Sequence, residues 1–114
     1  MKITDYAFGN MTVDGKSFNS DLIIYPDGRI QSSWWRKSGH VLASSDIAEL
    51  IDSGPEVIVA GTGAYGIMKP ETGLSELLSQ NGIQFKAMPT AEAVKLFNEL
   101  AGASKVGGCF HLTC

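Results

Sequence analysis

The residues with the strongest chemical signal are the glycines of Gly61-Thr62-Gly63-Ala64-Tyr65-Gly66, which directly follow the apolar run Val57–Ala60. Their spacing matches G-x-G-x-x-G, with which a strand–turn–helix unit binds the pyrophosphate of a dinucleotide. Two requirements of such a site are missing. Ile67–Pro70 separate the glycines from the next predicted helix, and no acidic residue ends the following strand. We therefore expect no NAD or FAD site, and no other cofactor is indicated.

This glycine loop, Gly61–Gly66, has two possible interpretations. In the first it is a structural turn, where glycines let the chain pack tightly against a neighbouring element. In the second it is a ligand or partner surface, where free backbone N–H groups hold an anion and the hydroxyl of Thr62 or Thr90 orients it. The carboxyl ends of buried strands open onto a crevice, which is the usual place for ligands in such sheets.

A second candidate is the run Trp34-Trp35-Arg36-Lys37. Alternation along a strand would bury one indole and expose the other. An exposed Trp35 beside Arg36 is typical of a protein recognition hot spot, or of an anion site with a stacking wall. The alternative is that both indoles complete a small core. Together the two segments and their neighbours supply the candidate binding residues, which are Trp35, Arg36, Gly61, Thr62, Gly63, Lys69 and Thr90.

The two histidines and two cysteines are candidate metal ligands and nucleophiles. Cys109 and His111 share one face of a predicted strand, and one interpretation is that they form a thiol–imidazole pair. A buried histidine hydrogen-bonded to the backbone is the favoured one, and His40 lies in a polar loop. Cys109 and Cys114 point to opposite faces of an extended strand, so no disulfide joins them, and no zinc site is predicted. Scattered carboxylates, Asp21 among them, are interpreted as caps and turn residues, so no catalytic residue is assigned.

The elements that position these residues follow from turns and hydrophobic periodicity. Asp14-Gly15 and Pro26-Asp27-Gly28 predict hairpins in a β-rich first third, with a strand over Arg29–Trp34. Later runs of apolar residues predict three strands, over Val57–Ala60, Ile83–Met88 and Val106–Leu112.

Three helices alternate with those strands. The first begins at a capping Ser44 or Ser45, the second runs from about Glu71 or Gly73 to Gln80, and the third runs from a capping Thr90 to Ala101. The second helix is expected to bury Leu74, Leu77 and Leu78. Short loops favour parallel pairing through right-handed crossovers. The predicted fold is α/β, with a mixed central sheet, an N-terminal antiparallel meander and three helices, as one domain over residues 1–114.

Composition narrows the class of partner. A net charge of −3 without a basic stripe argues against nucleic acid. No apolar run approaches the roughly 20 residues that span a bilayer, and the first residues lack the apolar stretch of a signal peptide. Free thiols suit a reducing compartment. We therefore expect a soluble, cytoplasmic protein with no membrane insertion.

Several segments in combination resemble the MTH-like domain family of uncharacterised function. The resemblance rests on Asp21–Ile24, the stretch from Trp34 to His40, Glu56–Gly63, Thr90-x-x-Ala93 and His111–Cys114. That family includes the adipogenesis-associated protein of animals and an assembly factor of mitochondrial respiratory complex I. The resemblance implies a compact α/β domain with a mixed sheet, and a stand-alone binding or assembly role rather than an established enzymatic one. It supplies no catalytic residues.

Two functional hypotheses follow. The first is a non-catalytic binding or assembly protein that contacts a protein partner at the crevice beyond the central strand, with a homodimer as a further possibility. The alternative is an enzyme or carrier for a small anionic ligand bound at Gly61–Gly66. In that case Arg36 or Lys69 neutralises the charge of the ligand and the glycine amides hold it.

Overall fold

The computed structural model describes residues 2–114, and Met1 lies outside them. Within that range the strands are β1 (Ile3–Ala7), β2 (Asn10–Val13), β3 (Lys16–Phe18), β4 (Leu22–Ile24), β5 (Ile30–Gln31), β6 (Val41–Leu42), β7 (Val57–Thr62), β8 (Lys69–Pro70), β9 (Gln84–Met88) and β10 (Val106–His111). The helices are α1 (Ala48–Asp52), which a 3-10 turn over Ser44–Ile47 precedes, α2 (Leu74–Gln80) and α3 (Thr90–Ala101).

The first three strands form the predicted antiparallel meander, in the order β1-β2-β3. Its second turn uses Asp14 and Gly15, whose φ angles of 49° and 83° are those of a tight hairpin turn. The next hairpin joins β4 to β5, but β5 is much shorter than the predicted strand Arg29–Trp34. The regular ladder ends at Gln31, and Ser33 adopts a φ of 54°, which L residues seldom adopt within a strand; the N–H of Trp34 still donates to the carbonyl of Asp21 at 2.9 Å.

The central sheet has five strands in the order β5-β4-β10-β7-β9. β10 is antiparallel to β4 and parallel to β7, and β7 is parallel to β9. Every residue of β7 and β10 is buried, because α1 and α2 cover one face while α3 and the meander cover the other. The predicted mixed α/β fold with an N-terminal meander and three helices is therefore confirmed.

Two details of the helices differ from the predictions. Neither Ser44 nor Ser45 caps the first helix, because both already lie inside the 3-10 turn, whose N-cap position is Ala43. The N–H of Ala43 donates to the carboxylate of Asp46 at 2.9 Å. Leu77 is 40% exposed rather than buried. In this short helix only the i and i+4 positions, Leu74 and Leu78, face the sheet.

A small parallel pair ties two distant loops together at one end of the central sheet. In it Val41 of β6 lies opposite Lys69 of β8, and the N–H of Lys69 donates to the carbonyl of His40 at 2.9 Å. The polar loop 35–40 is thereby held beside the segment that follows the glycine loop. No helix within residues 2–114 is both long and apolar enough to cross a membrane.

Candidate functional site

The first half of the glycine loop is packed beneath other parts of the chain. A Cβ atom on Gly61 would lie 2.8 Å from the hydroxyl oxygen of Thr90. Gly63 has a φ of +106°, and a Cβ there would lie 2.6 Å from the carbonyl oxygen of Cys114. Only glycine fits these positions without displacing backbone. This half of the loop is therefore a tight structural turn.

The backbone donors of the loop are used within the chain. The N–H of Gly63 donates to the Thr90 hydroxyl at 2.9 Å, and the N–H of Ala64 donates to the carbonyl of Thr113 at 2.6 Å. Further along, Gly66 donates to the carbonyl of Gly63 at 3.2 Å. These three amides are therefore not free to hold an anion, since Thr90, Thr113 and Gly63 supply their acceptors, and this favours the structural-turn interpretation for them.

Thr90 has a different role from the predicted helix cap. It is the first residue of α3, and no side chain caps that helix. Its buried hydroxyl instead donates to the carbonyl of His111 at 2.7 Å and accepts from Gly63. One side chain thereby joins the ends of β7 and β10 to the start of α3.

The second half of the loop is exposed and aromatic. Tyr65 is 73% exposed, and its ring lies 6.3 Å, centroid to centroid, from that of Phe8, which is 59% exposed. Phe8 is in the turn between β1 and β2, and the following Gly9 is held by a hydrogen bond to the carbonyl of Leu112 at 2.9 Å. We call Phe8 and Tyr65 the aromatic pair. Both rings project from turns that are anchored to the residues at the end of β10.

A crevice of about 300 Å³ opens beside the aromatic pair. Its lining residues come from the end of β7, the glycine loop, β8 and the end of β9, and they are Thr62, Tyr65, Gly66, Met68, Lys69, Pro70, Ala87, Met88 and Pro89. The ammonium of Lys69 lies on its rim and donates to the carbonyl of Gly66 at 2.9 Å. The crevice therefore combines apolar walls with one cation.

Behind this surface lies a buried ion cluster of Asp21, Arg36 and His111. Asp21 immediately precedes β4 and His111 ends β10, so the antiparallel pairing of these strands places the two side by side. Arg36 reaches them from the polar loop, with its guanidinium 4.6 Å from the ring of the buried Trp34. The Trp34 indole N–H is itself held by the carbonyl of Asp46 at 2.9 Å.

The geometry of the cluster is centred on the Asp21 carboxylate. Its Oδ2 lies 2.8 Å from Nδ1 of His111 and 2.9 Å from Nη1 of Arg36, and its Oδ1 accepts from the N–H of Leu112 at 2.8 Å. The Arg36 contact is an ion pair rather than a well-aligned hydrogen bond. Burial alone would raise the pKa of Asp21, but the hydrogen bonds from His111 and Leu112 and the nearby positive charge lower it overall.

The cluster holds charge but is not arranged as a nucleophilic centre. An aspartate that orients a histidine through Nδ1 is also found in hydrolytic triads, where Nε2 bonds to a nucleophile. Here Nε2 of His111 is buried, and no group among residues 2–114 hydrogen-bonds to it. Cys109 lies two residues away on the same face, but burial raises the pKa of its thiol to about 12. That thiol stays protonated at neutral pH, so it is a core side chain.

The cluster corrects two sequence-based interpretations. Asp21 is not a turn carboxylate, and the ring of His111 hydrogen-bonds through Nδ1 to that carboxylate, at 2.8 Å, rather than to the backbone; Nη2 of Arg36 lies 3.2 Å from the same ring nitrogen. Both cysteines are free, as expected. Among residues 2–114 no group of three or more metal-binding side chains occurs.

The candidate binding residues divide into three locations. Arg36, Gly61, Gly63 and Thr90 lie in the connected interior behind the crevice. Thr62 and Lys69 line the crevice itself. Trp35 is 75% exposed, as alternation with the buried Trp34 predicted, but it lies in a separate hollow of about 550 Å³ with Lys37 and Asp46.

Sequence reasoning missed the aromatic pair and the pairing of Asp21 with His111. A signal for the second existed, because His111 lies near the end of the predicted strand Val106–Leu112 and Asp21 directly precedes the apolar run Leu22–Ile24, but only the strand order brings these two positions together. Phe8 carried a weaker signal as a large aromatic residue next to the turn residues Gly9-Asn10.

Comparisons with known proteins place the chain in a family. A family model described as "Protein of unknown function (DUF498/DUF598)" matches residues 3–111. The crystal structure of conserved hypothetical protein PH1505 from Pyrococcus horikoshii OT3 shares 31% identity over 100% of both chains, with a TM-score of 0.85. The structure of MT938 shares 27% identity over 99% of this chain and 98% of its own, with a TM-score of 0.83.

A more distant likeness shows the fold alone. The solution structure of a Bordetella pertussis protein, described as an Mth938-like domain, is 20% identical over 97% of this chain and 85% of its own, with a TM-score of 0.63. These matches confirm the predicted resemblance to the MTH-like domain family. The chain belongs to the DUF498/DUF598 family of proteins of unknown function, and its fold is that of an Mth938-like domain.

Proposed function

We propose that this protein is a non-catalytic binding or assembly module that contacts a protein partner at the crevice and the aromatic pair. The observation that carries the proposal is the exposure of Phe8 and Tyr65, whose rings lie side by side in a tilted arrangement beside an open crevice. Large aromatic side chains of this kind supply most of the binding energy at protein interfaces, because they bury much apolar area at little cost in conformational entropy.

The surface is preorganised for binding. The turn that carries Tyr65 is held by the hydrogen bonds of Gly63 and Ala64, and the turn that carries Phe8 by that of Gly9. A rigid surface loses less conformational freedom when it binds. In this proposal the interior candidates, Arg36 and Thr90 among them, position the surface and do not touch the partner.

Lys69 and Trp35 extend the proposed surface. Lys69 adds a cation to the rim of the crevice, which favours a partner with an acidic group there. Trp35 offers a second exposed aromatic anchor in its own hollow. The aromatic pair and Trp35 contact the same partner only if that partner covers both the crevice and the hollow of Trp35.

The small-anion alternative has less support. The guanidinium of Arg36 is already paired with Asp21, and the amides of Gly63, Ala64 and Gly66 donate within the chain. Lys69 and the hydroxyl of Thr62 are left to face a ligand in the crevice. Thermal-shift titration with inorganic phosphate tests this arrangement. A saturable rise in melting temperature that disappears in Lys69→Gln would favour the alternative.

The test of the main proposal is affinity capture from cell extract on the immobilised full chain. Tyr65→Ser and Phe8→Ser should each weaken capture of the same partner by about tenfold or more, as hot-spot truncations do. Leu77→Ser is the matched control, because Leu77 is an exposed apolar residue elsewhere, on α2. If both aromatic variants fold and retain the partner as the control does, this surface is not the binding site. Gly63→Arg is unsuitable as a probe, because its Cβ alone would strike the backbone.

A further inference from the structure

We infer that the open edge of β9 binds an extended acidic peptide of another protein as a sixth strand of the central sheet. β9 is the last strand in the order β5-β4-β10-β7-β9, and its partner within the sheet is β7. This inference goes beyond the proposed function, since a strand edge is recognised through backbone hydrogen bonds that the aromatic pair does not provide.

The backbone groups that face outward follow from the register. The N–H of Gln84 donates to the carbonyl of Glu56, at 3.0 Å, so Gln84 is directed toward β7. Alternate residues of a strand bond to alternate sides, so Phe85 and Ala87 direct their N–H and C=O groups away from the sheet. Neither takes part in the loop and turn backbone bonds of residues 2–114. Four backbone groups are therefore free to pair with an added strand.

Two hollows lie in line along this edge. One, of about 450 Å³, is lined by residues of α2, of β9 and of the turn between them, namely Ser75, Ser79, Gly82, Ile83, Gln84, Phe85 and Lys86. The other is the crevice, which Ala87, Met88 and Pro89 line from the same strand. Phe85 packs against the core on the α2 side of the sheet, and directly opposed residues of neighbouring strands point to the same side. Two peptide residues separated by one position would thus face the two hollows.

The residue between them would face Lys86. This lysine is exposed in the middle of β9, and within residues 2–114 no carboxylate lies within ion-pair distance of it. Opposite charges on directly opposed strand residues stabilise pairing, and like charges destabilise it. An aspartate or glutamate opposite Lys86, flanked by two side chains that enter the hollows, is the sequence that this edge favours.

The same charge disfavours a second copy of this chain. An antiparallel two-fold pairing that uses all four free groups must place Phe85 opposite Ala87. That register brings the Lys86 side chains of the two copies directly opposite each other. A peptide with an acidic residue at that position forms the same hydrogen bonds without the repulsion.

The test is selection from a phage-displayed library of random seven-residue peptides on the immobilised full chain. Selected peptides should carry an acidic residue at one fixed position, and their binding is measured by fluorescence polarisation. Lys86→Glu should weaken binding about tenfold or more. Ala87→Pro should abolish it, because proline removes an outward N–H that β7 does not use. Lys95→Glu, the same charge change at an exposed site on α3, should leave binding unchanged.

Amide hydrogen exchange supplies a second readout that does not depend on the variants folding. Bound peptide should slow exchange at Phe85 and Ala87. The inference is overturned if selection yields no binder, if binders lack the acidic residue, or if exchange at these amides does not change. A dimer in sedimentation experiments that Ala87→Pro dissociates would overturn it in favour of a second copy.

The experiments can refute the inference about the β9 edge and the proposal about the aromatic pair independently of each other. If Tyr65→Ser no longer captures the partner, but Ala87→Pro binds the selected peptides as tightly as the wild type does, only the inference about the β9 edge is refuted. If Ala87→Pro no longer binds the peptides, but Tyr65→Ser and Phe8→Ser still capture the cellular partner, only the proposed surface at the aromatic pair is refuted.

Discussion

Replacing Asp21 by asparagine tests the claim that the buried ion cluster holds the carboxyl end of the sheet. The variant keeps the shape of the side chain and an oxygen for the N–H of Leu112, but it removes the charge 2.9 Å from Arg36. Removal of one member of a buried ion pair leaves the other charge uncompensated and costs about 3–5 kcal/mol. Because the Asp21 side chain retains 17% of its exposure, we expect a cost somewhat below that range, about 2–4 kcal/mol at pH 7.

A domain of this size loses about 4 °C of melting temperature per kcal/mol, so the decrease should be about 8–16 °C. Urea unfolding followed by tryptophan fluorescence measures the free energy directly, and Trp34 is a suitable reporter because it lies against the Arg36 guanidinium. Asp27→Asn, which breaks an ion pair that is 63% exposed on the aspartate side, should have no measurable effect.

The pH dependence of this difference has a defined sign. The folded state lowers the pKa of Asp21, so the stabilisation is complete above the ordinary aspartate pKa of about 4 and is lost as the pH falls through the folded value. The difference between the wild type and Asp21→Asn should therefore narrow below about pH 4.

Two results would refute the reasoning about Asp21. One is a difference below about 1 kcal/mol at pH 7, and the other is a difference that stays constant down to about pH 2.5. The double variant Asp21→Asn/Arg36→Met should be less destabilised than Asp21→Asn alone, because it leaves no unpaired buried charge. A double variant that is simply the sum of the two single changes would show that the pair is not coupled.

Three further predictions concern the ends of β7 and β10. Gly63→Ala should cost about 2 kcal/mol or more, because a positive φ and a backbone clash act together, whereas Gly9→Ala, at a positive φ in open space, should cost about 1 kcal/mol in the same urea assay. Thr90→Val should cost about 2–4 kcal/mol, because it leaves a buried N–H and a buried C=O without partners, and Thr90→Ser should restore most of that loss. A thiol reagent at pH 8 should modify the half-buried Cys114 in the native state but reach Cys109 only after unfolding, which mass spectrometry of the labelled protein would show.

Local patterns were sufficient for most of the secondary structure. The Asp14-Gly15 turn, the apolar run that becomes β7 and the helical spacing of α3 each depend on residues within a few positions of one another. Strand order is not a local property. That β10 lies between β4 and β7, rather than at an edge, depends on pairings between segments far apart in the chain, and no short pattern records it.

The candidate site was predicted less well for the same reason. Asp21 and His111 are 90 positions apart, and their contact exists only because β4 and β10 pair antiparallel in one register. Thr90 had the position and chemistry of a helix cap, and only the approach of the β10 end to the start of α3 gives its hydroxyl other partners. The glycine spacing located the tight turn after β7 but suggested free amides, because the acceptors of Gly63 and Ala64 come from the distant residues Thr90 and Thr113.

The two proposed surfaces depend on one buried framework. The ring of His111 contacts Asp21 and Arg36, and its carbonyl accepts a hydrogen bond from Thr90. The hydroxyl of Thr90 in turn accepts from the N–H of Gly63, at the base of the loop that carries Tyr65. The same loop forms one wall of the crevice into which the end of β9 faces. A partner bound there meets a surface whose shape is set by buried polar contacts, and loosening those contacts should raise its dissociation constant even where no contacting residue has changed. Asp21→Asn therefore tests the contribution of the cluster to binding as well as to stability. A variant that remains folded but loses affinity for a partner it cannot touch would show that the cluster positions the surface, and an unchanged affinity would restrict the role of the cluster to stability.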